Sequence, residues 1–114
     1  MLSAAYTVAG INFSVAGASG YNISAGDPSY ALTLTSYGSS GVGGNWAIYA
    51  QNTSGTNTLS APLILDPYSG GTTRNIAVFC QYSGGTLVLS GNISQTGTNT
   101  DLWLVGDQKA GTFD

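Results

Sequence analysis

Apolar residues in this chain alternate with small polar ones over short runs, and each run ends at glycine, proline, asparagine or aspartate. Gly84-Gly85-Thr86-Leu87-Val88-Leu89-Ser90-Gly91-Asn92-Ile93-Ser94 is the clearest case. Leu87 and Leu89 lie two apart and project to one side of a strand, while Thr86, Val88 and Ser90 project to the other. The paired glycines before this run and the Gly-Asn after it mark bends. The same reading predicts strands over Tyr6–Ser14, Tyr21–Ser24, Ala31–Thr35, Trp46–Gln51, Thr58–Leu65, Arg74–Gln81, Thr86–Ser90, Asp101–Val105 and Thr112–Phe113. Between them, Ala16–Gly20, Gly26–Ser29, Tyr37–Gly44, Asp66–Thr73 and Gln95–Thr100 have the residue types of turns and loops. No window carries a 3.6-residue apolar period, so the chain reads as all-β.

The strands recur in kind. Ala31–Thr35, Pro62–Leu65 and Thr86–Ser90 resemble one another, and Asn22–Ser24, Trp46–Tyr49, Asn75–Val78 and Asp101–Leu104 form a second interleaved set. Two strand types sharing one period suit a coil with two or three strands per turn, each type stacking on its own kind. The reading is a single domain forming a right-handed parallel β-solenoid of three to four coils, with an antiparallel β-sandwich or jelly roll as the alternative.

Composition sharpens this picture. Hydrophobic residues make up 42% of the 114 residues but charged residues only 6%, a balance opposite to that of disordered chains. A stacked coil needs Leu, Ile and Val inside and Thr, Ser and Asn outside, and charge for neither. The formal net charge is −3, with Arg74 and Lys109 as the only basic side chains, which argues against nucleic acid and against a polybasic membrane anchor. No apolar run approaches the roughly 20 residues that span a bilayer, so direct membrane insertion is not expected. Met1–Ala5 lacks the features of a signal peptide, and Met1 reads as a start placed at the edge of a fragment. Cys80 stands alone within an apolar run and reads as a small buried hydrophobe, with an intermolecular bridge as the other reading.

At Gly84–Ser94 the sequence resembles the autotransporter-associated β-strand repeat of bacterial passenger domains and large exported surface proteins. Tyr6–Ser14, Ala31–Thr35 and Asn57–Leu65 are similar to its upstream parts, in matching order. The chain departs from the pattern at Asp101–Lys109, where members continue into a further Thr-Leu-x-Leu segment. The resemblance implies a stalk, adhesin or matrix segment at a bacterial cell surface or outside the cell, and it transfers no catalytic residue.

Candidate chemistry is sparse. With no histidine and one cysteine, zinc sites and Ser-His or Cys-His nucleophiles are excluded, and no metal or cofactor is expected. Asp101 and Asp107 are the one candidate acid/base pair, weighed against plain turn and solvent roles, and the chain is read as not an enzyme. Gly38–Gly44 lacks the lysine and helix of a phosphate cradle. Among the aromatic residues, Trp46, Tyr49, Tyr82 and Trp103 are candidate contacts for a surface glycan, against the reading that they pack along the coil. A coil's uncapped ends expose strand edges, so Tyr6, Val8, Leu102, Leu104 and Phe113 are candidates for end-to-end contact with a second copy, building a filament.

Overall fold

The computed structural model describes residues 1–13, 19–35, 46–66, 75–82, 84–96, 100–106 and 112–114. Tyr37, Tyr68, Arg74, Asp107, Lys109 and the Gly38–Gly44 stretch lie outside the described residues, as do the side chains of Cys80 and Phe113. Among the described residues there are twelve strands and no helix. They are β1 (Tyr6–Val8), β2 (Ile11–Phe13), β3 (Asn22–Ile23), β4 (Leu32–Leu34), β5 (Ile48–Ala50), β6 (Thr56–Leu59), β7 (Leu63–Leu65), β8 (Asn75–Gln81), β9 (Thr86–Leu89), β10 (Ile93–Gln95), β11 (Thr100–Gly106) and β12 (Thr112–Phe113).

Every third strand shares a sheet. The orders are β1-β4-β7-β10, β2-β5-β8-β11 and β3-β6-β9-β12, and each neighbouring pair is parallel. An antiparallel sandwich or jelly roll is therefore overturned, since neither is built from parallel neighbours. Three consecutive strands form one unit that contributes one strand to each sheet, and four units follow in order. The shortest dimension of the molecule is 19 Å, against 38 and 36 Å in the other two. Four strands stacked about 4.8 Å apart span about 14 Å between the outermost strand axes, which fits within that short dimension.

Register sets like residues above one another. Tyr6, Leu32, Leu63 and Ile93 form one column, and Ile11, Ile48, Phe79 and Leu104 another. In β4, β5 and β7 the outer two residues are buried and the middle one is half-exposed, as period-two alternation requires. Leu34, Ile48, Leu59, Phe79 and Leu87 are wholly buried and form the core with Leu32, Leu63 and Leu65. Burial of this apolar interior is the main force holding the units together.

Three expectations need correction. Tyr6–Ser14 is two strands, because the chain turns at Gly10, where a Cβ would lie 2.7 Å from the Trp46 carbonyl oxygen. Thr58–Leu65 is likewise two, broken at Ser60-Ala61-Pro62, where the Ser60 and Ala61 amides both donate to the Ile23 carbonyl. Gln95–Thr100 was expected as a spacer, yet Gln95 ends β10 and Thr100 begins β11. The strand families also regroup. Thr86–Leu89 stacks on β6 and not on Leu63–Leu65, and Asn22–Ile23 belongs to that same third sheet.

The Gly26–Ser29 turn forms as its residues suggest. The Tyr30 amide donates to the Asp27 carbonyl (2.9 Å), and the Ser29 hydroxyl and amide both donate to Asp27 Oδ1 (2.6 and 2.8 Å). The hydroxyl bond, and after it the amide bond, hold the Asp27 carboxyl below its ordinary pKa of 3.8.

Candidate functional site

Three of the four aromatic candidates come together. Tyr49 lies between buried Ile48 and Ala50, so strand alternation turns its ring outward. Trp46, just before β5, stacks on that ring with centroids 5.5 Å apart and planes 8° from parallel. Tyr82 follows β8, held by its amide donating to the Ala50 carbonyl (2.9 Å). Its ring meets Tyr49 edge-on at 5.5 Å, and the two hydroxyls are hydrogen-bonded at 2.5 Å. The cluster therefore braces the second unit against the third, with each ring half-buried. Trp103 stands apart, 42% exposed on β11, two strands beyond β5 in the same sheet.

Buried amides form a second constellation, which sequence reasoning missed. Asn52, Asn57 and Gln81 are wholly buried. Asn52 Nδ2 donates to the carbonyls of Ser54 and Gly55 (3.1 and 3.2 Å). Gln81 Nε2 reaches the Asn52 carbonyl (3.1 Å), Asn52 Oδ1 (3.2 Å) and the Tyr82 carbonyl (2.9 Å). Asn57 Oδ1 accepts from the Tyr21 amide at 3.2 Å. These bonds compensate the desolvation of the amides and hold the corner between the second and third sheets. Gly85 is demanded by the same corner, since a Cβ there would lie 2.2 Å from the Asn52 carbonyl oxygen and 2.6 Å from Gln81 Nε2. Gln81 Oε1 is buried with no hydrogen-bond partner among the described residues. The signal for Asn57 was present: it lies two residues before Leu59, on the same side of the strand.

The ends of the stack differ from its middle. Among the described residues, the exposed large hydrophobics are Met1, Tyr6, Tyr21, Ile93, Trp103 and Leu104, and none belongs to the second or third unit. Ile93 is 40% exposed above Leu63 at 1%, and Leu104 is 52% exposed above Phe79 at 0%. Both exposed side chains continue a core column to a surface where no further strand lies among the described residues. Of the residues proposed for end-to-end contact, Tyr6 and Val8 lie on β1, Leu102 and Leu104 on β11, and Phe113 on β12, all edge strands of the first or last unit.

No constellation of catalytic type is assembled among the described residues. They hold no group of three or more His, Cys, Asp or Glu placed to bind a metal. Asp101 lies in β11, and its suggested partner Asp107 falls outside the described residues. Comparison with protein-family models, with curated proteins and with solved structures gives no match in any of the three.

Proposed function

We propose that the four units are the coils of a parallel β-solenoid, and that the chain is a structural and adhesive module of a bacterial cell-surface or extracellular-matrix protein that associates end to end. The bacterial surface setting rests on the resemblance to the autotransporter-associated repeat. The observation that carries the assembly is that, among the described residues, exposed large hydrophobics are confined to the first and last units. The six edge strands there contain one charged residue, Asp101, and no proline, so within these strands the usual guards against edge pairing are nearly absent. An end face of 38 × 36 Å, treated as an ellipse, covers at most about 1,000 Å², comparable to the roughly 800 Å² per partner of a standard stable interface. Sedimentation across a concentration series tests this: the mass should climb from the single-chain 11.5 kDa in steps of one chain. A mass fixed at one chain up to millimolar concentration would remove the proposal.

A second reading has one observation in its favour, the contiguous Trp46–Tyr49–Tyr82 cluster with its paired hydroxyls. Aromatic rings beside hydroxyl groups form sugar-binding surfaces. On this reading Trp46→Ala weakens retention on a glycan array at least tenfold while the circular dichroism spectrum is kept. Equal retention of Trp46→Ala and the parent chain, or no retention of either, would discard it.

A further inference from the structure

The two end faces are not alike, and their difference specifies how a second copy docks. This inference rests on the proposed end-to-end association and adds its polarity and register. All neighbouring strands in the three sheets are parallel, with the apolar columns facing inward. A two-fold pairing of like ends would reverse strand direction or turn the buried side of a sheet outward. A head-to-tail contact does neither, because it repeats the step that already relates one unit to the next.

Extending each column by one such step brings like residues together. Ile93 of one copy meets Tyr6 of the next, extending the series Tyr6, Leu32, Leu63, Ile93. Leu104 meets Ile11, extending Ile11, Ile48, Phe79, Leu104. Three of these four residues are among the large hydrophobics that the end units leave exposed: Tyr6 at 46%, Ile93 at 40% and Leu104 at 52%. Ile11 is the fourth, packed on the core and partly buried.

One feature of the first unit could have blocked this contact. Leu2 lies beside Ser24–Gly26, its amide donating to the Ser24 carbonyl (2.6 Å) and its carbonyl accepting from the Gly26 amide (3.0 Å). That strap sits at Ala25, past the end of β3; carried from β12 through β9 and β6, the register sets Thr112, Phe113 and Asp114 over Gly20, Tyr21 and Asn22, short of the strap. We infer that a second copy of this chain docks its first unit on the last unit of the copy before it, with β1 on β10, β2 on β11 and β3 on β12, giving a polar stack.

Ile11→Arg and Leu104→Arg each block one end and leave the other intact. Each alone should stay at single-chain mass, and an equimolar mixture should give a two-chain species, twice 11.5 kDa, that does not grow. As a check independent of core changes, Thr7→Cys and Ser94→Cys are made in separate Cys80→Ser chains. Both positions are exposed and belong to one column, Thr7, Thr33, Ile64, Ser94. Under mild oxidation the mixture should form a crosslinked dimer at least tenfold more than either chain alone. Elongation of either arginine variant alone, or efficient crosslinking within one cysteine variant alone, would overturn the register while leaving association standing. A parent chain that never exceeds one-chain mass would overturn both.

Discussion

Gly85→Ala lowers the stability of the fold by about 3–5 kcal/mol, the sum expected from overpacking and from breaking buried hydrogen bonds. The added methyl would meet the Asn52 carbonyl oxygen at 2.2 Å, Asn52 Nδ2 at 2.5 Å and Gln81 Nε2 at 2.6 Å. The carbonyl belongs to the backbone of the unit below and has no rotamer with which to retreat. Moving it parts Gln81 Nε2 from the two Asn52 oxygens it now bonds, and it leaves buried amide groups without partners. A domain of this size has only about 5–15 kcal/mol in total, so much of its stability is at stake. Gly20→Ala is the matched control. Its φ of +85° makes any side chain strained, yet nothing lies within 4 Å of the added methyl. That change should cost only about 1–2 kcal/mol, the price of a left-handed backbone for a residue with a Cβ. Urea midpoints of the two variants measure the contrast, and equal midpoints would show that the amide corner is not tightly packed.

Phe79→Ala comes close behind, with an expected loss of about 3–5 kcal/mol from lost burial and the cavity left behind. Phe79 is wholly buried in the third unit, with Ile48 below it and Leu104 above in its column. Neither neighbour can fill the space without leaving its own strand position. Leu104→Ala removes a side chain from the same column but at its exposed end, so the single chain should lose about 1 kcal/mol or less, in proportion to the smaller area uncovered. Its effect should instead fall on association, because Leu104 is half-exposed in the single chain and would be covered in the stack. Chemical denaturation of dilute chain gives the first comparison. If Leu104→Ala costs the dilute chain as much as Phe79→Ala, the end units are better covered than their exposure indicates.

Much of the fold was legible because alternation reports directly on strand sides. Leu32 and Leu34, Leu63 and Leu65, and the paired glycines before Thr86 all play the parts their pattern suggests, and Gly84 turns the chain at φ +89°. The grouping of strands was less legible. Thr86–Leu89 looks like Leu32–Leu34 and Leu63–Leu65, but corners assign sheets, and corners depend on which backbone lies one unit below. Gly10 and Gly85 show this best: each reads as a local bend, while its requirement comes from a carbonyl 36 and 33 residues away in sequence, at Trp46 and at Asn52. Gln81 was hidden for the same reason, since its partner Asn52, 29 residues away, reaches it only once the units are stacked. Ile93–Gln95 is absent from the predicted strands, with Gln95 assigned to a spacer, because at the last unit nothing in its surroundings demands the burial that marks the strands beneath it. Among the glycan candidates, the outward turn of Tyr49 follows from alternation, whereas its contacts with Trp46 and Tyr82 depend on tertiary placement.

The central claim is that this chain works by stacking, each copy continuing the sheets of the one before. Fibre diffraction or cryo-electron microscopy of concentrated chain measures it most directly, through the axial rise per copy. The account predicts a rise near the 19 Å short dimension of the chain, with a reflection at about 4.8 Å along the same axis from strands that run across it. A repeat containing two copies in opposite orientation, or chains joined with their strands along the filament axis, would contradict it.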